Sequence, residues 1–197
     1  MENIEFFPVL DLKNTTLQSF IDFWSRYYIN TVNTLEKENE YYVSPISSVE
    51  LEYDTLILLY KWKNGSILSK LKEKAFNEKI ISRLDELNNL KSGGIKSIDD
   101  VQVICPDLSA IWLIFLTHII DKESFPIFDM HVYRAYNYLK TGIVLEIPDK
   151  NEVKLKLYKD YLKYYNSLRP QIKDYKKWDE AMWAFGKFLS RYQLITQ

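Results

Sequence analysis

The chain has 197 residues, with 47% hydrophobic, 15% aromatic and 27% charged side chains and a net charge of −1. That balance suits one mid-sized folded domain with a large core, and it excludes wholesale disorder and a uniformly basic nucleic-acid binder. One cysteine, Cys105, excludes a disulfide framework or a four-cysteine cluster within the chain, and two histidines, His118 and His131, argue against a His-rich metal site.

The predicted elements are helical throughout. Five glycines and six prolines leave room for long helices. Thr15 or Thr16 caps a first helix over 15–34, with Leu17, Phe20, Ile21, Trp24 and Tyr28 on one face. Ser47 or Ser48 precedes a second over 49–62, whose Leu51, Thr55, Leu58 and Leu59 share a face and which stops at Asn64-Gly65. A third is expected over 67–90, apolar at Leu68, Leu71, Ala75, Ile80, Leu84 and Leu87. Ser97 caps a short helix with Asp99 and Asp100 in its first turn. Pro106-Asp107 opens a nearly all-apolar helix over 108–121, with Asp107 as its cap; such a helix has to be buried. Phe125-Pro126 breaks the chain, and Asp129 starts a helix ending near Thr141-Gly142. A loop with a trace of strand alternation at 142–147 leads to a helix over 149–168, a turn at Pro170 and a last helix over 177–192. The reading is a single all-α domain over 1–197.

The segment 1–10 carries Glu2 and Glu5 in place of a basic leader, and the longest apolar stretch, 108–120, is too short to span a bilayer. The expectation is a soluble protein of the bacterial cytoplasm with no membrane partner. The charge is uneven. Residues 1–60 hold 3 basic and 10 acidic side chains, 61–149 hold 12 of each, and 150–197 hold 11 and 5. A basic C-terminal face suits a polyanion; it also suits plain solvated helices.

The stretch that carries chemistry is 105–136. Pro126-Ile127-Phe128-Asp129 is followed by Met130-His131-Val132-Tyr133-Arg134, so an aspartate at a helix start sits just after a buried helix and a proline loop. On these residues, and on the gap-free spacing from Pro106 to Asp129, the chain resembles the helix–hairpin–helix DNA glycosylases. The Trp62-Lys63-Asn64-Gly65 turn and the ending Asp179-x-x-Met182-Trp183-x-x-Gly186-Lys187 look like the bacterial branch similar to 8-oxoguanine glycosylases. The segment 95–141 would then be the hairpin, helix and catalytic-aspartate unit.

The resemblance implies a two-lobed helical bundle with a cleft between the lobes. The implied activity is hydrolysis of the N-glycosidic bond of an oxidised or otherwise modified base, 8-oxoguanine-like first, flipped out of double-stranded DNA, with no metal or cofactor. Asp129 would be the catalytic carboxylate, since glycosidic cleavage builds positive charge on the sugar and an anion beside it stabilises that charge. Without the flanking match, Asp129 reads simply as a helix cap. His131, Arg134 and Ser109 would support Asp129 or hold the DNA backbone, and Tyr60, Trp62, Lys63, Asn64 and Trp183 would line the base pocket. Lys154, Lys173, Lys176, Lys177 and Lys187 would contact phosphates, with Lys156, Lys159 and Lys163 on the same basic helix. His118, in the most apolar helix, is expected in the core.

The chain departs from the pattern in three ways. The hairpin, Cys105-Pro106-Asp107-Leu108-Ser109, lacks both family glycines, leaving Ser109 as its best phosphate donor. The position of the imine-forming lysine of lyase-competent relatives holds Ile111, so water is expected as the nucleophile unless Lys63 or Lys187 enters the site. The four-cysteine iron–sulfur loop is missing. Other readings stay open beside lesion repair: excision of hypermodified phage bases in antiviral defence, a non-catalytic DNA-binding or protein-interaction module on the same scaffold, or a helical protein in which the motif is coincidence.

Overall fold

The computed structural model describes residues 15–31 and 35–192. The acidic segment 1–14 and the expected end of the first helix at 32–34 lie outside the described residues. Within them the chain is helical with no strand, and the hint of alternation at 142–147 is an irregular loop. No helix among the described residues is long and apolar enough to cross a membrane.

Helix α1 (Leu17–Thr31) starts where Thr16 Oγ1 accepts the Ser19 N–H at 3.1 Å. Its buried face of Phe20, Ile21, Trp24 and Tyr28 packs on α10 (Tyr175–Tyr192), with Trp24 5.0 Å from Phe185 and 4.9 Å from Phe188 between ring centres. A short α2 (Leu35–Glu38), a π-helical turn (Asn39–Val43) and a 3₁₀ turn (Pro45–Ser47) follow. None of these shows a helical period long enough to read from sequence.

Helix α3 runs Tyr53–Asn64, four residues later than the expected start. The reason lies at Leu51, whose N–H and C=O both bond the Asn88 side chain, at 2.7 and 3.0 Å, and so cannot join a helix. Its buried face is Leu56, Ile57, Leu59 and Tyr60. The helix stops at Gly65, whose φ of +70° closes the last turn. The single helix expected over 67–90 is two, α4 (Lys70–Lys79) and α5 (Leu84–Gly93), joined by a 3₁₀ turn at Ile81–Arg83. Breaking the helix lets Phe76, Ile80 and Leu87 all be fully buried, while Leu71, expected inside, is 81% exposed.

Helix α6 (Ile98–Ile104) carries the Ser97/Asp100 capping box. Helix α7 (Ala110–Ile120) is the buried centre of the fold. Asp107 does not cap it: Ser109 takes the cap position, and the first amide, Ala110 N–H, donates to Asn151 Oδ1 at 3.1 Å from the start of α9 (Asn151–Leu168). Helix α9 buries Tyr158, Tyr161 and Tyr165. Tyr165 donates to Glu123 C=O at 2.8 Å and Phe128 packs on Tyr158 and Tyr161, so α9 fixes the connection that delivers Asp129 to α8 (Met130–Thr141).

His118 lies fully buried on α7, as expected. Its Nδ1 is 2.8 Å from Phe125 C=O, which can only accept, so Nδ1 carries the proton and Nε2 accepts from Tyr42 Oη at 2.7 Å. Burial pushes its pKa down from 6.5 to about 4, against the Phe125 hydrogen bond, which opposes the shift. The unfolded chain therefore binds the proton first, and stability falls as pH drops from 6.5 towards 4, by about 3 kcal/mol over the window. Urea midpoints measured between pH 4 and 7 should decline on the acid side, and His118→Gln should flatten that slope; an unchanged slope in the variant would assign the acid sensitivity elsewhere.

Candidate active site

Asp129 is the N-cap of α8. Its Oδ1 accepts the His131 and Val132 N–H groups at 2.9 and 3.0 Å. Oδ2 takes no backbone bond and lies 3.3 Å from Lys63 Nζ, which comes from the last turn of α3. Helix cap and reactive carboxylate are thus the same group, one oxygen serving each purpose. Burial raises the pKa of Asp129, but the Lys63 ammonium and the α8 amides outweigh it and hold the carboxyl below its ordinary value. It is ionised at neutral pH, with its side chain one-fifth exposed.

Asp129 and Lys63 line a cavity of about 1220 Å³. One wall is the end of α3 with its turn, Trp62 to Ile67, and residues Glu38, Tyr41 and Tyr42 from the preceding turns. The other is the start of α8 with Lys176, Asp179, Glu180 and Trp183 of α10. Ile111 of α7 and Ile127 line it too, and Glu146, Ile147, Asp149 and Lys154 belong to the same lining.

Helix α8 is set against α10 at Gly186. A Cβ built there would lie 1.8 Å from His131 C=O, so backbone meets backbone with no room for a side chain. The same His131 provides one of the amides that hold Asp129. Its ring packs edge-on to Trp183 at 5.1 Å, and its Nδ1 lies 3.0 Å from Arg134 Nη1, which can only donate. Burial, helped by Arg134, Lys187 and Lys63 and opposed by Asp129, keeps this imidazole neutral. Arg134 is buried and grips Glu146 at 2.8 Å (Nε) and 2.7 Å (Nη2), tying the 143–150 loop to α8. It holds structure and is not available to a phosphate.

Two acidic groups with no assigned role in the sequence reading sit in the same lining. Asp179, on α10, is 7% exposed, and neither of its oxygens receives a hydrogen bond of ordinary geometry. Burial pushes its pKa well above the ordinary carboxylate value, against the Ile127 amide and the Lys63 and Lys176 charges. Glu38 is a buried hub: Trp62 Nε1 donates to it at 2.7 Å, Lys176 at 3.3 Å, and Tyr28 Oη at 3.3 Å. Lys176 also bonds Glu180. Asp179 already stood in the DxxMW ending, but its burial next to Asp129 is a tertiary fact. Glu38 had no motif around it.

The remaining predicted residues divide sharply. Lys63, Asn64, Trp62 and Trp183 reach the cavity; Tyr60 does not. Tyr60 is core, packed edge-on to Phe76, Trp112 and Phe115 and donating to Trp112 C=O. Trp62 is already stacked on Tyr42 at 4.2 Å and lies parallel to Phe115 at 5.9 Å, so it serves the wall more than it serves as a free platform. Asn64 spends its amide on Ser66 and Lys72. Ser109 is exposed at the α7 cap, away from the cavity. Lys173 and Lys177 are exposed, and Lys154 is part of the lining. Lys187 sits over the Trp183 ring at 4.6 Å. Lys176 is held by Glu38 and Glu180, Lys159 by Asp99 and Lys163 by Asp160, so these three are paired cations and not free phosphate contacts. No family model, curated protein or solved structure matches the chain.

Gly186→Ala has to push α8 away from α10. It is expected to lower stability by about 1–3 kcal/mol, with a fall in Tm of roughly 2–4 °C per kcal/mol. Thermal unfolding followed by circular dichroism checks this; an unchanged Tm would mean that the two helices do not meet backbone to backbone.

Proposed function

We propose that the chain is a DNA glycosylase of the two-lobed helical type, hydrolysing the N-glycosidic bond of an oxidised or otherwise modified base in duplex DNA. The observation that carries this reading is Asp129 itself: an ionised carboxylate at the edge of a large cavity, with one oxygen fixed by the α8 amides and the other turned towards Lys63. Small-molecule sites run to about 300–1,000 Å³, so a cavity of about 1220 Å³ has room for an extruded nucleotide.

In this reading the base enters between the α3 turn and α10, and its sugar lies against the start of α8. As the glycosidic bond lengthens, positive charge grows on the sugar ring. Asp129 stabilises that charge without moving, because its cap bonds have already oriented it. It also orients the attacking water. The Asp179 carboxyl would offer a base edge two oxygens left unpartnered in the protein, one of them a donor when protonated. Trp183, Ile111 and Ile127 supply apolar lining. Lys154, Lys173, Lys177 and Lys187 are left for the phosphate backbone.

The test offers duplexes carrying 8-oxoguanine, alkylated purines, uracil or hypermodified phage pyrimidines, and scores alkali-labile abasic sites. Base release on at least one duplex is expected, and Asp129→Asn should slow it by about a hundredfold or more. Release from the hypermodified duplex alone would shift the role to antiviral excision. No release from any duplex, or equal release by Asp129→Asn, would overturn the reading.

A further inference from the structure

We propose that the acidic end of the cavity takes an ammonium group, carried on a side chain of the extruded base. This rests on the excision reading for the sugar and the ring, and it names the class of base. Three carboxyls line this end: Glu38 from α2, and Asp179 and Glu180 from α10. The Glu38 and Glu180 side chains are 9% and 12% exposed. Asp179 is 7% exposed, and neither of its oxygens receives a hydrogen bond of ordinary geometry.

Among the described residues, Lys176 is the lysine that pairs with these carboxyls, and it is shared. Its Nζ lies 3.3 Å from Glu38 and also bonds Glu180. Lys63 is spent on Asp129, while Lys37 and Lys61 line the cavity with no ion pair to the three acids among the described residues. Three carboxyls are thus left to one ammonium. Burial pushes the pKa of Asp179 well up and that of Glu180 up, although Lys176 pulls both the other way, so the cations present do not make good the loss of water. A buried carboxyl without a partner costs free energy until a donor reaches it.

Lys176 shows what this end accepts. Its Nζ lies over two rings, 5.7 Å from the centre of Tyr28 and 5.6 Å from that of Tyr42, as well as against two glutamates. A second ammonium would find the Asp179 oxygens still unpartnered. On α10, Trp183 stands four residues from Asp179 and seven from Lys176, about 6 Å and about 10 Å along the axis. A ring resting on Trp183 therefore leaves the acidic end to a substituent several atoms long. The cavity, at about 1220 Å³, has the space for such an extension, since ordinary small-molecule sites run to roughly 300–1,000 Å³. A neutral extension would fill the space and leave the carboxyls uncompensated.

The test uses the full chain and two duplexes that differ in one group: a uracil carrying an aminopropyl side chain, and the same base with a hydroxyl in place of the amine. Binding is followed by fluorescence anisotropy of a label on the DNA, and base release by alkali-labile sites. The amine duplex is expected to bind tighter by about tenfold or more. That runs against the general trend, because an added cation weakens the attraction between DNA and lysines. Asp179→Asn should narrow the gap between the two duplexes; its melting curve, read alongside, shows that it folds, and the comparison in the unaltered protein depends on no variant. Equal binding of the two duplexes, tighter binding of the hydroxyl duplex, or a gap undiminished in Asp179→Asn overturns the proposal. A preference for the amine without base release from any duplex would remove the excision reading while leaving this one; base release without the preference would do the reverse.

Discussion

Everything in the candidate site follows from how closely α8 and α10 approach. At Gly186 the two backbones touch, and a methyl group there would fall inside His131 C=O. That contact sets the first turn of α8, and the first turn of α8 holds Asp129 through the His131 and Val132 amides. The next turns of α10 bring Trp183, Glu180, Asp179 and Lys176 to the same cavity. A glycine therefore sets the separation between an anion held at a helix start and the wall opposite it. Phe185 extends the same packing back to Phe20 and Trp24 of α1, so the cavity wall is braced by the largest aromatic cluster of the N-terminal helix.

Within that frame two aspartates are driven in opposite directions. Both are largely removed from water, which taken alone disfavours charge. Asp129 is compensated by the Lys63 ammonium and two amides and stays ionised. For Asp179 burial outweighs the Ile127 amide and the Lys63 and Lys176 charges, and its pKa is pushed well up. The two carboxyls thus face one cavity with their affinities for a proton pushed apart. Glu38 solves the same burial problem by a third route, gathering donors from Trp62, Tyr28 and Lys176, and its network stiffens the wall facing α8.

Much of this was legible in the residues. The amphipathic period of α1, the Ser97 cap, the burial of α7 and the start of α8 at Asp129 all come from local pattern, and the structure bears them out. The failures share one cause: a tertiary contact overruling a local preference. Asn88 captured the Leu51 backbone and delayed α3. The core took Phe76 and Ile80 and left Leu71 outside, which broke one expected helix into two. Asn151 capped α7 from a distant helix where Asp107 was the local candidate. The lysines show the same limit, since a basic run on a helix does not reveal that Lys159 meets Asp99 or that Lys176 meets Glu38. The sequence marks Lys63 for the base pocket and as a lysine that could enter the site, but its pairing with Asp129, sixty-six residues on, is visible in three dimensions alone.

The turn between α6 and α7 is poorly built to hold a phosphate. Without glycines it cannot bring bare backbone amides close to a phosphate. Its helix start is already occupied too, because Asn151 takes the Ala110 amide and Lys79 donates to Asp107 C=O at 2.8 Å. A strand gripped by this protein would have to be held elsewhere, by cations free of carboxylate partners. Among the described residues, Lys154 in the lining, Lys173 and Lys177 before and at the start of α10, and Lys187 beyond Trp183 meet that condition. Three of these four flank or lie on α10, the helix that also sets the position of Asp129 through Gly186. Backbone grip and carboxylate placement would then be carried by one rigid element, which fixes the register between a bound phosphate and the sugar at the site.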